Sequence, residues 1–252
     1  VTLRVLHTAE RPAETGLELD IEHEGTPARL RELYAPPADV WTRLNLITAV
    51  SGDAAGSDGT SETLSNPTDR MILAAVRAVA DGVVVGAASV RAEGYRVPKT
   101  SRLVVVTSSG DLSGHRMDPA AAERVVVVCP ETAVPEVRRT LGVEVARAAT
   151  ILTCADDDRR LEPAAVLDRL HEHGLLSLVC EGGPSLAGQL LRDGLVDELC
   201  LSTSPVVIGS GLPVFGRERF DPSRLTLSQL LVDEQSALYA RWLVEDGPAT
   251  RR

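Results

Sequence analysis

Four short runs in this chain are apolar at nearly every position: "GVVVG" (82–86), "RLVVVTS" (102–108), "ERVVVVC" (123–129) and "LLSLVCEGG" (175–183). Successive strand side chains point to opposite faces of a sheet, so strands like these must be covered on both sides. Helical patterns fall between them, at "NPTDRMILAAVRAVADG" (66–82), "EVRRTLG" (136–142) and "EPAAVLDRLHEHG" (162–174). In the first of these Asn66 supplies a cap, Pro67 suits the first turn and Asp69 meets the helix dipole. Met71, Ile72, Ala75, Val76 and Val79 then share one face at helical spacing. Strands alternating with helices predict an α/β fold with a central, mostly parallel sheet flanked by helices. "VWTRLNLITAV" (40–50) reads as a first strand, and "VDELCLSTSPVVIGSG" (196–211) as a strand entering a turn. "RLTLSQLLVDEQSALYARWLV" (224–244) reads as a C-terminal antiparallel hairpin, which makes the sheet mixed.

Residues 1–38 are polar, carry Pro12, Pro27, Pro36 and Pro37, and show weak periodicity apart from a helical turn or two at "ARLRELY" (28–34). They are expected to form an N-terminal extension packing on a domain that spans residues 39–247. A net charge of −10 argues against nucleic-acid binding, which needs basic surface, but leaves room for a local anion pocket. Cys129, Cys154, Cys180 and Cys200 are widely spaced, and no metal site or disulfide framework follows from them. Buried thiols in a reducing compartment are expected. No run reaches membrane-span length and the first residues lack the apolar stretch of a signal peptide, so a cytoplasmic protein is expected.

"CEGGPSLAG" (180–188) places Gly182, Gly183 and Pro184 between a buried strand and an amphipathic helix. Paired glycines cost chain entropy, so the turn requires bare backbone: either packing admits no Cβ, or a ligand comes close. A nucleophile elbow at Ser185 fails, because that arrangement takes its histidine from later in the chain. His7, His23, His115, His171 and His173 all precede Ser185. Neither "GGPSLAG" (182–188) nor "GSGLPV" (209–214) is a dinucleotide fingerprint, and no phosphate-binding P-loop is present. Pro184 at the first helical position leaves the amides of Gly183, Ser185 and Leu186 near a helix N-terminus, where an anion is attracted. A tight turn without a ligand remains the other reading. "GVVVGAASVRAEGY" (82–95) repeats the pattern of strand, glycine and helical start, so two glycine turns at Gly86 and Gly182–Gly183 would clasp one pyrophosphate if their strands were neighbours.

"GAASVRAEGY" (86–95) followed by "CEGGPSLAGQLLRDGLVDELCLSTSPVVIGSG" (180–211) closely resembles the reductase domain of riboflavin biosynthesis, the C-terminal part of the bifunctional deaminase-reductase. The resemblance runs from about Asn45 to the terminal hairpin. It implies a dihydrofolate-reductase-like fold, NADPH as cofactor and a homodimer. The activity implied is that of 5-amino-6-(5-phosphoribosylamino)uracil reductase, with hydride passing to the sugar C1′ of a ribosylamino-pyrimidine phosphate as the furanose ring opens. No metal is implied.

The same resemblance distributes roles along the chain. Gly86, Ala87, Ser89, Val90 and the turn Glu181, Gly182, Gly183, Pro184, Ser185 and Leu186 would hold the cofactor. Arg91, Ser108 and Ser109 would suit the 2′-phosphate of NADP, since a guanidinium matches phosphate bidentately. An exposed helix charge is the other reading of Arg91. Asn45, Ser61 and Arg77 match substrate positions, with a helix-surface arginine as the other reading of Arg77. Glu93 and Glu181 are the candidate catalytic acids, and Glu181 also admits a structural reading. One departure stands out: relatives carry S-x-D-G-K after the first strand, where this chain has Ala49-Val50-Ser51-Gly52-Asp53. Ser51 and Asp53 thus reverse the charge pattern of a substrate loop. A pterin substrate on the same scaffold and a catalytically idle NADP-binding module are the other functions this sequence admits.

Overall fold

The computed structural model describes residues 1–56, 58–157 and 160–248. In chain order its strands and helices are β1 (Thr2–Thr8), β2 (Glu18–Asp20), α1 (Thr26–Leu33), β3 (Trp41–Ala49), α2 (Pro67–Ala78), β4 (Gly82–Gly86), α3 (Ala87–Glu93) and β5 (Arg102–Val106). There follow β6 (Val125–Pro130), α4 (Val134–Ala148), β7 (Thr150–Cys154), β8 (Asp156–Asp157), β9 (Arg160–Leu161) and α5 (Pro163–Glu172). The chain ends with β10 (Ser177–Gly182), α6 (Pro184–Arg192), β11 (Glu198–Ser204), β12 (Leu225–Asp233) and β13 (Leu238–Val244).

An 11-stranded sheet organises the molecule in the order β2-β1-β12-β13-β11-β3-β10-β4-β5-β6-β7. From β11 to β7 every neighbour is parallel, and from β2 to β11 every neighbour is antiparallel. The valine-rich runs make the parallel half and are covered on both faces. Val83, Val85, Leu103, Val105, Val125 and Val127 meet α1–α4 on one face. Val84, Val104, Val126 and Val128 meet α5 and α6 on the other. Burying each such side chain contributes about 1.5–3 kcal/mol, which makes these strands the chief source of cohesion.

The local signals around α2 act as their chemistry suggests. Asn66 Oδ1 accepts the Asp69 amide at 2.8 Å, and Ile72, Ala75 and Val76 face the core. The helix expected at 136–142 is longer, running from Val134 to Ala148, with Gly142 inside it at φ 74°. Residues 1–38 contribute more than a polar covering: β1 pairs with β12 and β2 pairs with β1, so they form one edge of the sheet.

Connectivity fixes where a ligand lodges. The chain steps outward through β4, β5, β6 and β7, then returns through α5 to place β10 between β3 and β4. At such a switch the connections leave to opposite sides, and a crevice opens at the carboxyl ends of the strands. Two loops wall that crevice. The loop after β3 bridges the segment after β11 through the pair Asp53 and Pro213, and Ala54 N–H donates to Leu212 O at 2.8 Å.

Candidate active site

A cleft of about 430 Å³ opens at this switch point. Asn45, Ser61, Arg77, Ser89, Glu93, Glu181, Gly182, Gly183 and Pro184, all singled out from sequence, line it. They come from β3, the loop after it, α2, α3 and the β10–α6 turn, so residues far apart in the chain converge because β10 is inserted beside β3 and β4.

The two glycine turns are neighbours. β4 pairs in parallel with β10, with Gly182 opposite Val85. A Cβ built on Gly86 would lie 3.9 Å from Gly182 O and 4.0 Å from Gly183 N. Gly182 has φ +117°, a conformation side chains rarely adopt, and the Gly182–Gly183 peptide is cis. Gly183 has φ −65°, open to any residue, but a Cβ there would stand 3.0 Å from Ser89 Oγ. Gly188 is bare for packing alone, since a Cβ would meet Phe215 O at 2.4 Å. Behind the turn, Ala187 N–H bonds back to Gly183 O at 3.2 Å. The earlier amides of Ser185 and Leu186 precede the first i→i−4 bond and have no acceptor within the helix.

Charge in the cleft is centred on one ion pair. Arg77 Nε donates to Glu181 Oε1 at 2.6 Å and Arg77 Nη2 to Glu181 Oε2 at 2.5 Å. Both carboxylate oxygens of Glu181 are therefore engaged, and Arg77 Nη1 lies outside the pair. The Arg77 guanidinium also sits 5.8 Å from the centroid of the Tyr95 ring. Glu93 stands at the cleft mouth, where desolvation and then the Glu181 charge hold its carboxyl above the ordinary range. Two acids in one cleft thus differ: Glu181 is ion-paired to Arg77, and Glu93 is not.

Other sequence candidates lie outside this cleft. Ser51 and Asp53 tie loops together: Ser51 Oγ donates to Ile208 O at 2.6 Å, and Asp53 Oδ1 accepts Ser210 Oγ at 2.7 Å and Gly211 N–H at 2.9 Å. Hydrogen bonds from Ser210 and Ser51 lower the Asp53 pKa. The reversed charge of this loop therefore serves a staple between loops, and neither side chain lines the cleft. Ala87 and Val90 are buried in the core and offer only backbone. Arg91 Nη1 donates to Asp111 O at 2.6 Å, and Ser109 Oγ accepts the Asp111 amide at 3.2 Å, so these two gather at one turn beyond β5. Ser108 and Leu186 line a separate small cavity over α5 and α6. Ser185 Oγ accepts from Gln189 Nε2 at 3.1 Å. The sequence reading missed Leu73 and Tyr95 as cleft residues, and gave Asp69 only a dipole role. A signal existed: Asp69, Leu73 and Arg77 are spaced i, i+4, i+8, one face of α2.

Residues 40–239 match the family model described as the RibD C-terminal domain. The riboflavin biosynthesis protein RibD of Mycobacterium tuberculosis is 32% identical over 162 residues, which is 64% of this chain and 41% of that protein. This chain thus matches less than half the length of that relative. The 2,5-diamino-6-ribosylamino-4(3H)-pyrimidinone 5′-phosphate reductase of Archaeoglobus fulgidus is 25% identical over 182 residues, 66% of this chain and 80% of that protein. A pyrimidine reductase-like protein from Corynebacterium diphtheriae shares the fold, with a TM-score of 0.73 at 22% identity, covering 85% of this chain and 98% of that one. The architecture is the dihydrofolate-reductase-like α/β fold expected from the sequence.

Proposed function

The chain belongs to the RibD C-terminal domain family, and we propose that it is an NADPH-dependent reductase of riboflavin biosynthesis acting on a ribosylamino-pyrimidine phosphate. The observation that carries this reading is the ledge of bare glycine backbone from Gly86 to Gly183, with Ser89 Oγ beside it, which ends at a cleft containing Arg77, Glu181 and Glu93. A pyrophosphate fits such a ledge, because backbone amides at the start of α6 meet it and no Cβ stands in the way. When bound, the reduced nicotinamide supplies the hydride.

The rest is work for the chain's own residues. As the sugar ring opens, the C1′–O4′ bond breaks, C1′ gains the hydride and O4′ needs a proton. Glu93, which lines the cleft, is the acid placed to deliver that proton, while Glu181 positions Arg77. Arg77 then offers Nη1 to the substrate phosphate. Three buried free thiols, Cys129, Cys180 and Cys200, favour a reducing, cytoplasmic setting. Val50, Val206 and Val207 are exposed, and the Val50 amide donates to Val206 O at 2.8 Å; apolar side chains exposed on these adjoining segments favour a homodimer.

Mixing the protein with NADPH and the ribosylamino-pyrimidine phosphate is expected to consume the nicotinamide absorbance and yield the ribityl product. NADPH that stays intact with every such pyrimidine would overturn the reading. Arg91, held beside Ser109 by Asp111 O, is proposed to receive the 2′-phosphate. Arg91→Ala is therefore expected to cut the preference for NADPH over NADH about tenfold or more, measured as the ratio of kcat/KM values.

A further inference from the structure

Asp69 is 9% exposed, yet it lies in the cleft wall and not in the core clusters. An acid in the first turn of a helix gains from the dipole on the solvent face just as well. Burying it here carries a cost: desolvation raises its pKa, against hydrogen bonds from Ser202 and Ser65. Ser65 Oγ donates to Asp69 Oδ2 at 2.7 Å, which orients the carboxylate without using its full capacity, since two oxygens accept about four hydrogen bonds. Along the same face Leu73 and Arg77 also line the cleft. Eight residues of helix separate Asp69 from Arg77, roughly 12 Å along the axis. One wall thus presents a carboxylate, an apolar step and a guanidinium in order.

We propose that this face of α2 measures the substrate, with Asp69 reading a 2-amino-4-oxopyrimidine edge, Leu73 packing under the ring and Arg77 holding the phosphate. The inference rests on the reductase reading above and decides between its two pyrimidines. In a 2,5-diamino-6-ribosylamino-4(3H)-pyrimidinone, N3–H and the 2-amino group are adjacent donors, which a carboxylate accepts together. In the 5-amino-6-ribosylaminouracil, N3–H is flanked by two carbonyl oxygens that face the carboxylate with like partial charge. The remaining donor edge of the uracil carries the sugar, which has to reach the nicotinamide. Asp69 therefore selects the pyrimidine that still bears its 2-amino group. In reaction order, hydrolytic deamination of the ring follows this reduction and does not precede it.

The test compares kcat/KM for the two ribosylamino-pyrimidine phosphates, with a dihydropterin as a third arm because it carries the same 2-amino-4-oxo edge. The wild type is expected to prefer the diaminopyrimidinone about 100-fold or more, as sites built around hydrogen-bonding groups do. Asp69→Asn offers one donor and one acceptor, and is expected to bring the ratio to within about tenfold of unity or to reverse it. Loss of α2 geometry alone would lower both rates and leave their ratio in place, which overturns the inference. NADPH-induced thermal stabilisation of the variant checks that it is folded, and the wild-type preference stands as a test by itself. Equal or better turnover of the uracil by the wild type overturns the role of Asp69 while leaving the reductase reading intact. Turnover of the dihydropterin alone upholds the Asp69 edge and overturns the sugar as hydride acceptor. No turnover of any of the three overturns both.

Discussion

Glu198→Ala is expected to destabilise the domain by about 3–5 kcal/mol, the scale for removing one partner from a buried ion pair. Glu198 is fully buried on β11, between β3 and β13, and each neighbour delivers an arginine to it. Its Oε2 accepts Trp41 Nε1 at 2.8 Å and Arg43 Nε at 2.8 Å, and its Oε1 accepts Arg241 Nε at 2.5 Å. Arg43 is 3% and Arg241 1% exposed, so the alanine leaves two cations without their shared counter-charge in a region water does not reach. Arg241 also donates to Leu33 O and lies 5.5 Å from the Tyr34 ring centroid, so the same cluster fastens residues 1–38 to the sheet. Thermal and urea unfolding give the measurement; at this chain length each kcal/mol corresponds to about 2–4 °C in Tm. Replacing all three charged residues by apolar ones of similar volume is expected to cost far less, because the penalty lies in the unpaired charge.

The pH dependence of the same cluster has a definite sign. Burial alone would raise the Glu198 pKa, but the Arg43 and Arg241 charges outweigh it and bring the value from 4.5 to about 2. A folded-state pKa below the unfolded one gives stability that is complete above the unfolded value. It is lost as pH falls from about 4.5 toward about 2, and in the alanine variant that part of the acid transition is expected to vanish. An unchanged acid limb would show that other carboxylates govern acid unfolding.

How far the sequence could be read depended on which signals are local. β4, β5, β6 and β10 were legible because nearly every position in them is apolar, and only a doubly covered sheet asks for that. β1 was not: a bulge between Val5 and His7 interrupts its alternation and leaves Leu6 exposed, so the period-2 pattern fails within seven residues. β7 has one buried residue, Leu152, among five, and little local pattern marks it. In the site, glycine turns and motif acids were legible as residues, but not their partners. The pairing of Arg77 with Glu181 spans 104 positions and arises from the insertion of β10 beside β4. Asp53 shows the opposite case. Its reversed charge was visible, but its function as a staple to Ser210 and Gly211 exists only once two distant loops meet.

Gly183→Val is expected to fold and to lose the thermal stabilisation that NADPH gives the wild type. Gly183 suits this test better than Gly182, whose φ of +117° would strain any side chain and confuse folding with binding. At φ −65° and ψ 177°, Gly183 has a backbone conformation open to valine. What a side chain meets there is Ser89 Oγ, 3.0 Å from the Cβ position, and the ledge proposed for the pyrophosphate. Two causes of bare backbone therefore compete at one residue, and a second substitution separates them. Ser89→Ala removes the hydroxyl that crowds the Cβ, so the double variant relieves the internal contact and leaves only the ledge filled. A ligand at 100 times its Kd stabilises the native state by about 2.7 kcal/mol, which sets the size of the wild-type response. With Ser89→Ala as the baseline, the double variant is expected to show none of it. If NADPH still stabilises the double variant in full, Gly183 is bare to admit Ser89 and the pyrophosphate lies elsewhere. If the response vanishes while the unfolding transition stays cooperative, the glycines at the carboxyl ends of β4 and β10 are bare because the cofactor lies against them.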